Sequence, residues 1–154
     1  MKAQIGSIIS GTMRKEDLIP EFVSALRSLG CKSLELKAIE SRLADNDALQ
    51  DSDYSETADY YNSEESDWDL ESLFDMLQAY APDYIYFGAH PGDGSDYGFW
   101  VSDILEDDFD GLKVSDTSEI PPKYRGHVLH VNDHGNCTLY VKSARKLKEL
   151  WSCV

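Results

Sequence analysis

The sequence predicts an α+β fold in which an antiparallel β-sheet, built from residues 84–154, is covered by two helices near residues 17–29 and 68–80. Two observations lead to this prediction. Two stretches with apolar residues at helical spacing come first, and at least four stretches with alternating apolar residues follow them. A chain of 154 residues also suits one domain, so we expect a single domain spanning 1–154.

The first predicted helix follows from apolar residues at positions 18, 22, 25, 26 and 29, which fall on one helical face. A proline is tolerated only in the first turn, so Pro20 indicates that the helix begins close to Asp17. Gly30 is a typical signal for its C-terminal end.

Three further segments of the N-terminal half lack a clear helical spacing of apolar residues. Residues 3–10 predict a short strand in which Gly6 marks a bend or a close approach. The stretch 33–39 alternates between apolar and polar residues, which predicts a second strand. Residues 44–66 are polar, acidic and rich in tyrosine, so we expect a loop, a solvated irregular helix or a mobile segment.

A second helix is predicted from apolar residues at positions 70, 73, 74 and 77, with Ser66 as its N-cap and Pro82 beyond its end. Two hairpins follow: 84–90 with 97–101 around the turn 91–96, and 127–131 with 137–141 around the turn 132–136. Residues 149–154 predict a last strand. The side chains expected to be buried are Leu26, Phe74, Phe87, Val128, Leu139 and Trp151.

Composition limits the function classes. The formal net charge is −15, so phosphate and anionic lipid would be repelled, and neither nucleic acid nor a membrane is an expected partner. The sequence contains no apolar run of the length that a membrane helix needs and no recognisable secretory signal. Cys31, Cys137 and Cys153 form no CxxC pair, and we expect reduced thiols in the cytoplasm, with a Cys137–Cys153 disulfide as the less favoured alternative.

The acidic residues are concentrated in one part of the chain. Between Arg42 and Lys113 there is no lysine or arginine, and this stretch contains 20 of the 29 acidic residues. A solvated surface that serves solubility is the simplest interpretation of such a stretch. Its length, however, exceeds what solubility requires, so the segment is also a candidate docking surface.

The densest part of the acidic stretch also carries aromatic residues. Carboxylates can pair with lysine and arginine, and aromatic rings can stack on guanidinium groups, so this combination complements a basic protein surface. The predicted partner-binding residues are Asp51, Asp53, Tyr54, Asp59, Tyr60, Tyr61, Glu64, Glu65, Asp67 and Trp68.

The two predicted hairpin turns offer an alternative site. His90, Asp93 and Asp96 could bind a divalent metal ion from one loop, and Asp133 with His134 could form a catalytic pair. The more economical interpretation is that these polar residues serve the turns, with Gly135 in a left-handed conformation. We therefore predict no metal ion and no cofactor.

Other catalytic signals are weak. His127 and His130 are three residues apart on a predicted strand, where they would face opposite sides and could not share a zinc ion. Cys137 alternates with Leu139 and Val141, so we expect a core residue rather than a nucleophile. No P-loop, GxGxxG, GxSxG or HExxH motif is present, so no catalytic residue is predicted.

Three stretches carry a resemblance: SGTMRKEDLIP (10–20), YFGAHPGDGSDYGFW (86–100) and VNDHGNCTLY (131–140). Together they resemble uncharacterised small acidic proteins of bacteriophages, prophages and mobile elements. The resemblance implies a mobile-element origin and brings inhibitors of host defence, of anti-CRISPR or anti-restriction type, among the functions to consider. It assigns no catalytic residue.

The leading hypothesis is a non-enzymatic acidic protein that docks on a basic surface of a protein partner, such as a nucleic-acid-binding protein that it would inhibit as a DNA mimic. One alternative is a metal-dependent enzyme or small-molecule binder that uses the two polar hairpins. Another is an immunity-type or structural interaction subunit whose acidity serves solubility.

Overall fold

The computed structural model describes residues 2–50, 60–102, 105 and 109–153. Within these residues there are three α-helices and two β-sheets, so the predicted α+β class is confirmed. The helices are α1 (Lys15–Ser28), α2 (Leu34–Gln50) and α3 (Glu64–Gln78). The strands are β1 (Gly6–Ile9), β2 (Ile85–His90), β3 (Asp93–Val101), β4 (Leu112–Val114), β5 (Gly126–Val131), β6 (Cys137–Lys142) and β7 (Leu147–Cys153).

The chain divides into two compact units. The first comprises Met1–Ala81 and Phe87–Phe99, and the second comprises Pro82–Tyr86 and Trp100–Val154. The expectation of a single domain stays a prediction. In the described parts of the chain, no helix is long and apolar enough to cross a membrane.

The first unit is built on a cluster of aromatic rings. Phe22 of α1 lies edge-on to Phe74 of α3, with 5.3 Å between ring centroids, and to Phe87 of β2, at 5.1 Å. Phe87 also contacts Phe99 of β3. The cluster therefore joins α1 and α3 to the three-stranded sheet, whose strand order is β1-β3-β2.

The stretch predicted as a strand at 33–39 is the first part of α2, so that prediction is wrong. Leu36 and Ile39 are three residues apart and both are buried, which is the spacing of one helical face. The apolar positions of this stretch therefore fit a helix as well as a strand. Ser33 supplies the cap: its hydroxyl accepts a hydrogen bond from the Leu36 amide at 3.0 Å. The helix continues to Gln50, so the first part of the expected acidic loop is helical.

The two predicted helices exist but begin earlier than expected. Helix α1 begins at Lys15, which places Pro20 in the second turn with its ring exposed to solvent. Helix α3 begins at Glu64, and its cap is Ser63, whose hydroxyl accepts a hydrogen bond from the Ser66 amide. Serine is a good cap at either position, so the pattern alone could not distinguish Ser63 from Ser66.

The second unit contains a four-stranded sheet with the order β4-β5-β6-β7. Strands β5, β6 and β7 are antiparallel neighbours, whereas β4 and β5 run parallel. The expectation of one antiparallel sheet over 84–154 therefore differs from the structure in two respects. One strand pair is parallel, and β2 and β3 belong to the sheet of β1.

The predicted core is largely confirmed. Five of the six side chains are buried, namely Leu26, Phe87, Val128, Leu139 and Trp151. Phe74 is only half-buried, although its ring contacts those of Phe22, Phe87 and Tyr97. In the second unit the indole nitrogen of Trp151 donates a hydrogen bond to the Asp83 carbonyl at 2.9 Å, which satisfies its one polar atom.

Candidate functional site

The first turns of α3 and the short 3-10 turn before it carry the described part of the predicted partner-binding surface. Tyr60 and Tyr61 lie in the turn Tyr60–Asn62, and four further residues lie on α3. These four are Glu64, Glu65, Asp67 and Trp68. The other predicted residues, Asp51, Asp53, Tyr54 and Asp59, lie outside the described residues.

A buried carboxylate, Asp69, organises this end of α3. Its two oxygens accept hydrogen bonds from the Arg42 guanidinium of α2, at 2.7 Å from Nε and 2.5 Å from Nη2. The Tyr60 hydroxyl donates a third bond to Asp69 Oδ2 at 2.7 Å. Arg42 Nε also lies 3.7 Å from a carboxylate oxygen of Glu65. The single positive charge of Arg42 is thus shared between two acids of α3, and its bidentate pair with Asp69 fixes α2 against α3.

Tyr60 belongs to the interior rather than to the surface. Its side chain is buried, and burial, together with the hydrogen bond to Asp69, raises the pKa of its hydroxyl. Tyr61 packs against it, with ring centroids 5.1 Å apart. The expectation that Tyr60 contacts a partner conflicts with this placement, because its polar atom is already used inside the unit.

Asp67 also has an internal partner. Lys15 Nζ donates to its carboxylate at 2.6 Å and to the Ser66 hydroxyl at 3.0 Å. The Asp67 side chain remains 63% exposed. A surface ion pair of this kind contributes little to stability, about 0.2–1 kcal/mol, but it does offset the charge of Asp67.

One face of α3 stays acidic and uncompensated. Glu64, Trp68, Glu71 and Asp75 follow one another at intervals of four, three and four residues, so they lie in one line along the helix. All four are exposed, and Trp68 is 67% exposed. Among the described residues, the three carboxylates have no ion-pair partner. We call these four residues the acidic tryptophan face.

The first hairpin has a shorter turn than the predicted 91–96, because β3 begins at Asp93 and only residues 91 and 92 separate the strands, and polar side chains hold this end of the hairpin together. The ring Nδ1 of His90 accepts a hydrogen bond from the Gly92 amide at 3.0 Å, and Asp93 accepts bonds from the amide and hydroxyl of Ser95. Asp96 accepts a bond from the Ser7 hydroxyl of β1. The bonds to Ser95 lower the pKa of Asp93. One side-chain atom of each candidate ligand thus serves the hairpin or its neighbouring strand.

The second hairpin turn is organised by Asn132. Its side-chain oxygen accepts hydrogen bonds from the amides of His134 and Asn136, at 2.9 and 3.0 Å. Gly135 has φ +82°, which confirms the expected left-handed conformation. Asp133 and His134 are exposed on this turn. In the described part of the chain, no group of three or more histidine, cysteine or acidic side chains is placed to hold a metal ion.

The two histidines of β5 have separate surroundings. His130 Nε2 lies 3.0 Å from the Ser115 carbonyl, whereas His127 Nε2 lies 3.7 Å from the Asp83 carboxylate. The His127 ring also stands edge-on to Tyr84, a residue with φ +64°. The two rings thus contact different groups.

The first unit also contains an open cleft of about 460 Å³ between β1 and the end of α1. It is lined mainly by apolar atoms of the segment 2–8 and of Ala25, Leu29 and Phe99. None of its lining residues is acidic or a histidine, so it coincides with none of the sites predicted from the sequence.

Four residues of this site were not among those predicted from the sequence: Arg42, Asp69, Glu71 and Asp75. Asp69 could have been recognised, because it lies four residues before Leu73 and three after Ser66, on the buried face of α3. A carboxylate on an apolar face requires a cation or hydrogen-bond donors. Arg42, the last cation before the acidic stretch, is the lysine or arginine nearest to Asp69 in the sequence.

Comparison with known proteins gives no match to any family model, to any curated protein or to any solved structure.

Proposed function

We propose that this chain is a non-enzymatic binding protein that docks on a basic surface of another protein through the acidic tryptophan face of α3. The observation that carries the proposal is the exposed Trp68 ring, aligned with the carboxylates of Glu64, Glu71 and Asp75, which form no ion pair with any described residue. A large apolar ring exposed at the centre of such a face is typical of an interface residue.

The charge distribution supports this surface over the other acids of α3. Arg42 and Lys15 bring two positive charges within ion-pair distance of the three carboxylates of Asp69, Glu65 and Asp67. The acidic tryptophan face receives no such cation from the described residues, and the last turn of α3 contains no basic residue. A partner that brings cations to this face would therefore gain pairs that the free protein lacks.

The chemistry of the face favours arginine over lysine in the partner. A guanidinium group can stack on the indole ring of Trp68 and at the same time donate hydrogen bonds to a carboxylate four or three residues away. Trp68 and Glu64, and Trp68 and Glu71, have this spacing on α3. We therefore propose an arginine-rich surface, such as the phosphate-binding surface of a nucleic-acid-binding protein.

The same proposal indicates what binding would do to the partner. An acidic face that occupies a phosphate-binding surface would exclude DNA or RNA from it, so the protein would act as an inhibitor. The resemblance to acidic proteins of bacteriophages and mobile elements makes a host-defence protein in the cytoplasm the proposed target. Nucleic acid and anionic membranes are not proposed as partners, because the net charge of −15 repels both.

The proposal is tested by capturing proteins from a bacterial lysate at low and high salt, identifying them by mass spectrometry and titrating the purified partner with variants. Trp68→Ala should weaken binding about tenfold or more, because truncation of a central tryptophan removes both ring stacking and buried area. E64Q/E71Q/D75N should lower the association rate and reduce its dependence on salt.

Matched controls are available in the same unit. Leu34→Ala removes another exposed apolar side chain, which is 82% exposed, and E21Q/E35Q/D45N removes three exposed carboxylates outside α3. Both controls should bind as the parent does. If the α3 variants bound as tightly as the parent at every salt concentration, the proposed docking surface would be refuted.

The rival functions predict different results. An immunity-type or structural subunit whose acidity serves solubility would bind its partner equally well after neutralisation of α3. A metal-dependent enzyme or small-molecule binder would depend instead on His90 or His134. The His90 ring accepts a hydrogen bond from the Gly92 amide, and the His134 amide donates one to Asn132, and both bonds stabilise their own turns.

A further inference from the structure

The two cysteines of the second unit lie directly opposite each other on neighbouring strands. Strands β6 and β7 are antiparallel, and Cys137 pairs with Cys153, followed by Thr138 with Ser152 and Leu139 with Trp151. Directly opposite residues of an antiparallel pair have Cα atoms about 4.5 to 5.5 Å apart. The Cα separation that a disulfide requires is about 4.4 to 6.8 Å, and the separation of directly opposite residues falls within it.

Both thiols also share one face of the sheet. Leu139 and Trp151 form a buried cross-strand pair, and each cysteine lies two residues along its strand from one member of that pair. Side chains two residues apart on a strand point to the same side, so the cysteines face each other at the end of the core face. Both are half-buried, which leaves them accessible to a small reagent.

We propose that Cys137 and Cys153 form a reversible cross-strand disulfide by exchange with a small-molecule disulfide such as oxidised glutathione. One protein thiolate attacks the reagent, forms a mixed disulfide and releases one glutathione thiolate. The second protein thiolate then attacks the mixed disulfide, forms the internal bond and releases the second glutathione. Two protein thiols and one glutathione disulfide thus become one protein disulfide and two reduced glutathione molecules.

The order of attack follows from the position of each thiol. Cys153 lies on β7, the edge strand, whereas Cys137 lies on β6 between two neighbours. Burial and the adjacent Cys153 raise the pKa of the Cys137 thiol, so little of it is thiolate at neutral pH. Cys153 therefore takes up the reagent, and Cys137 closes the bond in a step that accelerates as the pH rises.

The bond would connect the edge strand to the interior of its sheet. An edge strand is held on one side only, and β7 carries the buried Trp151. A disulfide at Cys153 would restrain the end of β7, so the redox state would set how readily this strand separates from β6. The reduced thiols expected from the sequence are then one of two redox states of Cys137 and Cys153, and the disulfide is the other.

The test uses the full chain with Cys31→Ser, which removes the third thiol, located in the first unit. The folded protein is incubated with oxidised glutathione, trapped in acid and analysed by mass spectrometry and peptide mapping. We expect loss of both thiols, a mass lower by two hydrogens and a peptide linking Cys137 to Cys153. Excess dithiothreitol should restore both thiols.

Single cysteine variants distinguish formation of the internal disulfide from reaction of one thiol with glutathione. In the same background, Cys137→Ser should accumulate a glutathione adduct on Cys153 that cannot close. In urea the ratio of internal to mixed disulfide should fall about tenfold or more, because the sheet no longer aligns the thiols. Stable glutathione adducts on the folded two-cysteine protein, or an equal ratio in urea, would overturn the proposal.

Discussion

At the scale of single residues, Asp69 decides which acids of α3 are available to a partner. It is buried and holds the Arg42 guanidinium and the Tyr60 hydroxyl, so one cation and one tyrosine are committed to the interior. Removing one member of a buried charge pair leaves the other uncompensated, which costs about 3–5 kcal/mol where burial is complete. Arg42 is 30% exposed, so the cost here lies below that range.

Tyr60 gives a test of this network by pH. Its pKa is raised above the usual 10.0, so the folded state keeps the proton after the unfolded chain has lost it. The stabilisation is therefore fully present below about pH 10 and is lost as the pH rises further. Tyr60→Phe should cost about 1 kcal/mol near neutral pH, because Asp69 loses one hydrogen bond.

The measurement is urea unfolding of the parent and of Tyr60→Phe from about pH 7 to pH 11. The difference in the free energy of unfolding should shrink above about pH 10, since the parent alone loses the contribution of Tyr60. A constant difference across this range would contradict the role assigned to the Tyr60–Asp69 bond.

At the scale of elements, the contact between β1 and β3 depends on one glycine. A Cβ atom at Gly98 would lie 2.2 Å from the Gly6 carbonyl oxygen and 2.8 Å from Ser7 Cα, both of which are backbone atoms. The backbone of β1 cannot give way as a flexible side chain can. The sequence marked Gly6 for a bend or a close approach, and the structure shows that Gly98, which pairs with Ser7, approaches the Gly6 carbonyl across the sheet.

Gly98→Ala should therefore destabilise the protein by about 2 kcal/mol, because the added methyl group forces β1 away from β3. Gly94→Ala in the same strand is the matched control, since nothing lies within 4 Å of a Cβ at that position. Chemical unfolding of both variants beside the parent measures the difference. Equal stability of the two alanine variants would show that β1 shifts without cost.

Element prediction from periodicity succeeded where one period dominated. The faces of α1 and α3 were recognisable, because Leu18, Phe22 and Leu26 on one helix, and Leu73 and Leu77 on the other, repeat at three or four residues and are buried. In 33–39 the apolar positions fit both a strand and a helix. The Ser33 cap and the burial of Leu36 with Ile39 decided for the helix.

At the scale of the whole molecule, the net charge of −15 lowers the stability of the fold but strengthens binding to a basic partner. Like charges repel one another in the folded chain, and salt screens this repulsion. The Debye length falls from about 30 Å at 0.01 M to about 10 Å at 0.1 M ionic strength. Salt should therefore stabilise the fold while it weakens the complex with a basic partner.

Raising sodium chloride over this range should increase the melting temperature by about 3 °C, equivalent to about 1 kcal/mol. The increase should be smaller for E64Q/E71Q/D75N, because that variant has three fewer unpaired carboxylates. Differential scanning calorimetry of parent and variant gives both values. A melting temperature that falls with salt would show that the ion pairs of Arg42 and Lys15 outweigh the repulsion.

The α+β class, the two hairpins, the second hairpin turn, five of six core side chains and the acidic character of one surface could all be predicted from the order of residues. The charge of a segment, its turn-forming residues and its apolar periodicity depend only on residues that are close in the sequence, so folding does not change them. Which carboxylates stay unpaired could not be read in this way. Arg42 and Asp69 are 27 residues apart, and only packing of α2 against α3 brings them together. The parallel pairing of β4 with β5 and the opposition of Cys137 and Cys153 likewise depend on strand register, which non-local contacts set.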